Sequence, residues 1–428
     1  MNAKKSKAIT KLVPLAIAIM LLMAAVSQAK IETVTGSNFT LTAKEGHIAT
    51  PDGGAYLMWG YTLDGGTMQY PGPTMDVNEG DTVVINLTNE LAVPVSIVLP
   101  GQQDVNSTGG SPGLLAAEAD PNGGTVQYTF EATHPGTYLY YSGTNPELQV
   151  EMGLVGALII RPSSQPPGQN WAYNHADSRY DYEYLFLVTE MDPVIHELAQ
   201  CGKWNEIDLT SYWPVLWFIN GRNAPDTLMP SNFPLLPTQP YNCLPRMHPG
   251  DRLLMRCLGG GRDLHPFHTH GNNFLQIARD GRLLSTAPQA GGGGPGANLA
   301  VSDFTLTVAP GETADAIFEW TGEKLGWDIY GHDVSDPMQL DEYAPDHGKP
   351  FPVILPDKKV LTFGPSYSGS PFLGLQGDLP PGQGGFNVNA GYFFMWHSHN
   401  EKEMVNYDIF PGGLMTMLII EPPGVIIE

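Results

Sequence analysis

Basic residues are scarce in this sequence: 21 Lys and Arg stand against 44 Asp and Glu, a formal net charge of −23 over 428 residues. Four of the lysines, Lys4, Lys5, Lys7 and Lys11, crowd the first residues, so without that segment the balance is 17 against 44, or −27. A chain this acidic repels nucleic acid and anionic lipid, which excludes nucleic acid as a partner and favours cations. Long apolar runs are also lacking. The Leu12–Ala25 stretch follows those lysines and ends in Ser27-Gln28-Ala29, the charge, length and small-residue ending of an export signal. No later segment is apolar for about 18 residues or more. These features predict a signal peptide over 1–29, an exported protein, periplasmic or extracellular, and no membrane span after signal removal.

Cysteine is nearly absent, with three residues, which excludes a disulfide-built scaffold. Cys201 and Cys243 lie in loop-like stretches rich in Pro and Asn and are a disulfide candidate in an oxidising compartment, or else remain free. Cys257, in the alternating run Arg252–Leu258, reads as a buried thiol of a strand. There is no Gly-rich phosphate loop, no defensible Ser/His/Asp arrangement, and no pattern that requires a long helix.

Gly and Pro are abundant, 49 and 38 residues, while charged residues make up 15%. That balance favours short strands joined by turns. Two blocks repeat one order of signals. The first runs from Pro71-Gly72-Pro73-Thr74 through the turn Glu79-Gly80-Asp81 to strands at 82–87, 125–130, 136–141 and 156–160. The second has strands at 215–221 and 252–258, the turn His248-Pro249-Gly250-Asp251, then strands at 304–308, 314–320, 392–396 and 414–420. The expected fold class is all-β, two Greek-key β-sandwich domains over 30–165 and 211–428, joined by a 166–210 linker. A Pro/Gly/Asp-rich insertion near 332–390 is too long for an ordinary connection, and Gly291–Gly294 reads as a loop.

The chemistry lies in the histidines. In His265-Pro266-Phe267-His268-Thr269-His270-Gly271, residues two apart on a strand share a face, so His268 and His270 point the same way. In Trp396-His397-Ser398-His399, at the end of an aromatic strand, His397 and His399 do the same. Two H-x-H pairs in one domain can supply four neutral imidazoles to a metal ion, and imidazole suits copper or zinc. Of the other histidines, His47, His134, His175, His196, His248, His332 and His347 lack this spacing and read as surface residues, with His332 of interest at the start of the insertion.

These segments, with Pro71–Thr74 and Glu79–Asp81, resemble the motifs of the multicopper oxidases, and the resemblance covers essentially the whole chain after the signal. It implies cupredoxin-like domains, copper as cofactor and, from the two-domain members, a homotrimer or higher assembly. It also implies a type 1 copper feeding electrons to a trinuclear cluster that reduces oxygen. This sequence departs from that pattern. The type 1 site needs a Cys thiolate with two imidazoles; its first imidazole position matches His265, but the Cys position is Ser398 and the second imidazole falls on Glu403. In the first domain, Val98 and Pro100 stand where the family has one H-x-H, and Tyr141 and Gly143 where it has the other. No blue centre and no full four-copper set are expected. What remains is one or two copper ions at His268, His270, His397 and His399, with a weaker N/O site at His265, Ser398 and Glu403. The function expected is a secreted copper-binding protein of this family, an atypical oxidoreductase with a reduced type-2-like site. The alternatives are a non-catalytic extracellular scaffold or assembly protein, or a copper carrier.

Overall fold

The computed structural model describes residues 31–287, 294–320, 369–372, 391–421 and 425–427. The 1–29 segment, His332 and His347 lie outside the described residues, and of the 332–390 insertion only Gly369–Phe372 is described, as a strand paired with Gly391–Ser398.

The first domain is a sandwich of two sheets. One orders its strands Ala55–Leu63, Asn38–Ala49, Thr82–Asn89, Gly124–Glu131 and Asn106–Gly109; the other orders Val34–Thr35, Met75–Asn78, Val155–Arg161 and Gly136–Tyr141. Along Thr82–Asn89 burial alternates residue by residue, so Val83, Ile85 and Leu87 enter the core while their neighbours stay partly exposed. Leu158, Ile160, Tyr138 and Tyr140 close that core from the opposite sheet.

Val155–Arg161 breaks the alternation, because six consecutive residues are buried. Its second face, Val155, Ala157 and Ile159, packs on Leu185, Leu187, Phe218 and Leu258 of the second domain. The two sandwiches therefore share an apolar layer. A polar seam runs beside it: Arg161 Nη1 lies 2.8 Å and Arg256 Nε 2.9 Å from the same carboxylate oxygen of Glu183. Burial opposes the Glu183 charge, but the Arg161 and Arg256 guanidiniums outweigh it and hold the group at about 2.

In the second domain a seven-stranded sheet contains Leu216–Ile219, Tyr182–Met191, Arg252–Gly259, Thr313–Glu319 and Phe274–Arg279 in that order, and the opposing sheet runs Arg246–Met247, Met415–Ile420, Gly391–Ser398, His265–Thr269 and Thr305–Val308. Trp396, Phe267, Phe186 and Phe318 meet between them. Both domains are two-sheet β-sandwiches, as the strand pattern predicts, and this is the architecture that the family resemblance implies.

Two expectations need correcting. Residues 166–210 are not a linker throughout: Tyr182–Met191 is buried along nearly its whole length and pairs in parallel with Arg252–Gly259 over seven positions, so it is a central strand of the second domain. Its apolar centre Tyr184–Val188, buried on both faces, hides the period-two signal that marks half-buried strands. Nor do Cys201 and Cys243 form a disulfide. Cys201 is exposed just after the Pro193–Gln200 helix, whereas Cys243 is buried with its thiol donating to the Ile219 carbonyl. Burial raises that thiol to about 12, so it behaves as a small apolar side chain. Cys257 is buried in its strand, as expected.

Candidate metal centre

Strand register brings the histidines together. His265–Thr269 pairs antiparallel with Gly391–Ser398, setting His268 directly opposite His397 and Phe267 opposite Ser398. Phe267 and Trp396 point into the sandwich core, so His268 and His397 take the other face. His270 follows on that face, where Gly271, at φ +102, turns the chain beneath the Phe394 ring and leaves no room for a Cβ.

One nitrogen from each of His268, His270 and His397 lies within 4.8 Å of the other two. Their rings stand nearly edge to face, with centroids 4.7 to 5.3 Å apart. Hydrogen bonds fix the orientation of two of them: Nδ1 of His268 meets Thr305 Oγ1 at 3.0 Å, and Nδ1 of His397 meets the Ser398 carbonyl at 2.6 Å. A carbonyl only accepts, so His397 carries its proton on Nδ1 and a lone pair on Nε2. The Nε2–H of His270 donates to that lone pair at 3.1 Å.

Electrostatics keeps His268 and His397 neutral. Burial, then the neighbouring His397 and His399, lower His268 to about 4; burial, with His399, also lowers His397. Neutral imidazole is the form that binds metal. Three imidazoles on one face, two with Nδ1 pinned by a hydrogen bond, could hold a metal ion, and imidazole donors suit copper or zinc. His399 is less integral. It is exposed, its ring centroid is 4.7 Å from that of His268, and it stands outside the three-nitrogen group.

On the core side of the same strand the geometry differs. His265 is fully buried, with Nε2 at 2.8 Å from Glu190 and Nδ1 at 3.0 Å from Glu403. Burial alone would favour the neutral ring, but hydrogen bonds and charges from Glu190 and Glu403 raise it to about 10. The imidazolium is thus itself the cation between two carboxylates. Sequence brings His265 and Glu403 together correctly, and Glu190, rather than Ser398, takes the second ring nitrogen, so both nitrogens are paired with carboxylates on opposite edges of the ring. Ser398 Oγ accepts from the Asn400 amide.

Glu190 is the residue that the sequence reading omits. Its signal is a carboxylate inside the apolar run Leu185-Phe186-Leu187-Val188-Thr189-Glu190. Its other oxygen accepts from the Arg262 and Asp263 amides. His196, read as a surface residue, is also buried, with Nδ1 donating to the Leu57 carbonyl and Nε2 3.5 Å from Glu151.

The first domain repeats this frame without ligands. Val98 and Tyr141 form a bridge through reciprocal amide bonds of 2.8 and 3.2 Å, the same opposition that sets His268 against His397. Neither side chain binds metal with useful strength.

Fold and site thus define a two-sandwich protein with a cluster of converging histidines, and comparison with known proteins specifies what it is similar to. Residues 52–165 match the multicopper oxidase family. "Laccase 1" of Metarhizium acridum is 35% identical over 147 residues, 34% of this chain and 22% of the laccase. "Copper resistance protein A" of Escherichia coli is 35% identical over 295 residues, 61% of this chain and 43% of that protein. This chain therefore spans between about a fifth and two fifths of the length of these relatives. Among solved structures, the blue copper oxidase from Nitrosomonas europaea superposes with a TM-score of 0.54 at 19% identity, covering 89% of this chain and 85% of that one. Residues 52–165 are thus matched as a multicopper oxidase domain, and that family implies copper as cofactor.

Proposed function

We propose that this chain is an exported copper protein with one mononuclear, type-2-like site on His268, His270 and His397, His399 serving as an outer fourth imidazole, and that it acts as an oxidoreductase without an electron-relay centre. The observation that carries the reading is the cluster of three imidazole nitrogens within 4.8 Å, two of the rings oriented by bonds from their remote nitrogens. Copper bound there would supply a one-electron redox centre. The chain's own part is to hold three neutral imidazoles on one rigid face and to leave the His399 side open to solvent. Assembly into a homotrimer or higher oligomer belongs to the same reading, supported by the exposed Phe304 beside the cluster, edge-on to His268 at 5.4 Å.

The loss of ligands at Val98 and Tyr141 favours a second reading, a copper carrier or scaffold without turnover. Copper titration followed by electron paramagnetic resonance tests the site: one copper per chain with a type 2 spectrum is expected, lost in His268→Ala and in His397→Ala, whereas no stoichiometric copper would overturn it. Oxygen uptake with a phenol or a reduced metal ion then separates the two readings. Turnover abolished by the same substitutions supports the oxidoreductase, and a copper-loaded chain without turnover supports the carrier.

A further inference from the structure

A cavity of about 190 Å³ lies in the seam between the domains, remote in kind from the histidine cluster. Leu139, Tyr141, Val150 and Val155 wall it from the first domain; the Gly259–Gly261 backbone and Pro310 wall it from the second, with Arg262 the one charged residue among the described residues that line it. The glycines are fixed by what lies behind them: a Cβ on Gly261 would strike the Glu190 carboxylate, and one on Gly259 would strike the Ala309 carbonyl. Bare backbone therefore faces this seam whatever fills it.

Arg262 is short of partners. Its guanidinium lies 4.1 Å over the Tyr212 ring, and Nη2 reaches the Leu209 carbonyl at 3.2 Å and a half-exposed Glu147 carboxylate at 3.4 Å. Its Nη1 is buried with no hydrogen-bond partner among the described residues. A buried charged donor left unpaired is costly and calls for a partner that completes it. A guanidinium presents paired N–H groups that match a planar carboxylate. The apolar remainder of the wall would leave polar atoms of a sugar or a phosphate ester unpaired, so it suits a hydrocarbon body.

We propose that this interdomain cavity binds a small monocarboxylate with a compact apolar body, the carboxylate on Arg262 and the hydrocarbon against Leu139, Val150 and Val155. A ligand there touches both domains. It also lies against Arg262, whose amide, with that of Asp263, holds Glu190, and Glu190 in turn holds His265 at the start of the histidine strand. The proposal is independent of the copper reading, since neither probe used to test it needs a metal.

Calorimetric titration of the full chain with benzoate and with benzyl alcohol, its uncharged counterpart in shape, tests it. Saturable binding of one benzoate per chain is expected, with the alcohol at least about tenfold weaker because it forms no charge-assisted pair. Arg262→Gln should remove that preference while leaving the alcohol unchanged, and Glu147→Gln, which withdraws a competing carboxylate, should tighten benzoate. Equal affinity for the two probes, no saturable benzoate binding, or full benzoate affinity in a folded Arg262→Gln variant would each overturn it. Should Arg262→Gln not fold, the acid and alcohol pair on the native chain and on Glu147→Gln decides the matter.

Discussion

At the scale of single residues, the decisive replacement is a metal ion by a proton. His265 sits where the family pattern leads one to expect the first imidazole of a type 1 site, yet two carboxylates claim its nitrogens and hold it as a cation. Removing one partner of a buried pair leaves an uncompensated charge and costs on the order of 3–5 kcal/mol. Glu190→Gln should therefore lower the unfolding free energy by about that amount near pH 6. Because the His265 value is raised from 6.5 to about 10, its contribution is complete below pH 6.5 and fades as pH climbs towards 10. The Glu190 value is lowered from 4.5, so its contribution is present above pH 4.5 and fades as pH falls. Denaturant melts should show the gap between native and Glu190→Gln chains widest between these limits, and a gap that does not vary with pH would refute the ion pair. The cysteines give a simpler readout. A thiol reagent should modify one group, Cys201, in the folded chain and three after denaturation; a denatured count of one would restore the disulfide.

Between residues and the whole lies the strand, where burial on both faces does two jobs. Val155–Arg161 and Tyr182–Met191 are each apolar on both sides because each belongs to its own sandwich core and to the layer between domains. Phe218, fully buried in that layer, should be as costly to truncate as a core residue of a single domain: Phe218→Ala is expected to destabilise by about 3–5 kcal/mol. Thermal unfolding should remain one transition if the layer is continuous, and two separated transitions in the native chain would mean the domains are independent. The strand scale also explains what was easy to read. Thr82–Asn89, Gly136–Tyr141, Arg252–Gly259 and Met415–Ile420 fall within two residues of their expected bounds, because period-two alternation or a bounded apolar run marks them directly. Tyr182–Met191 was hidden because a fully buried strand has no alternation to detect.

For the molecule as a whole, the family resemblance implies that the ligand positions at Val98, Tyr141 and Ser398 carry no metal ligand, while the two-sandwich architecture is present among the described residues. Restoring one ligand should not restore the centre. In Ser398→Cys the thiolate would meet an imidazolium already bound by Glu190 and Glu403, so copper loading should give no intense blue absorption; a blue Ser398→Cys protein would show that His265 is free to ligate. The missing ligands of the first domain set a further limit, because Val98 and Tyr141 occupy the opposed positions that His268 and His397 occupy in the second.

The sequence alone determined the all-β class, the two-block repeat and the pairing of H-x-H motifs on one face, because side-chain parity along a strand is a local property. It also located the gaps at Ser398, Glu403, Val98 and Tyr141, since each is read from its place in a motif. Only the tertiary structure decided that three of the four imidazoles converge while His399 stays exposed. The partner that neutralises His265 comes from a strand 75 residues away. Contacts between residues distant in sequence depend on how sheets stack, and no spacing rule carries that information.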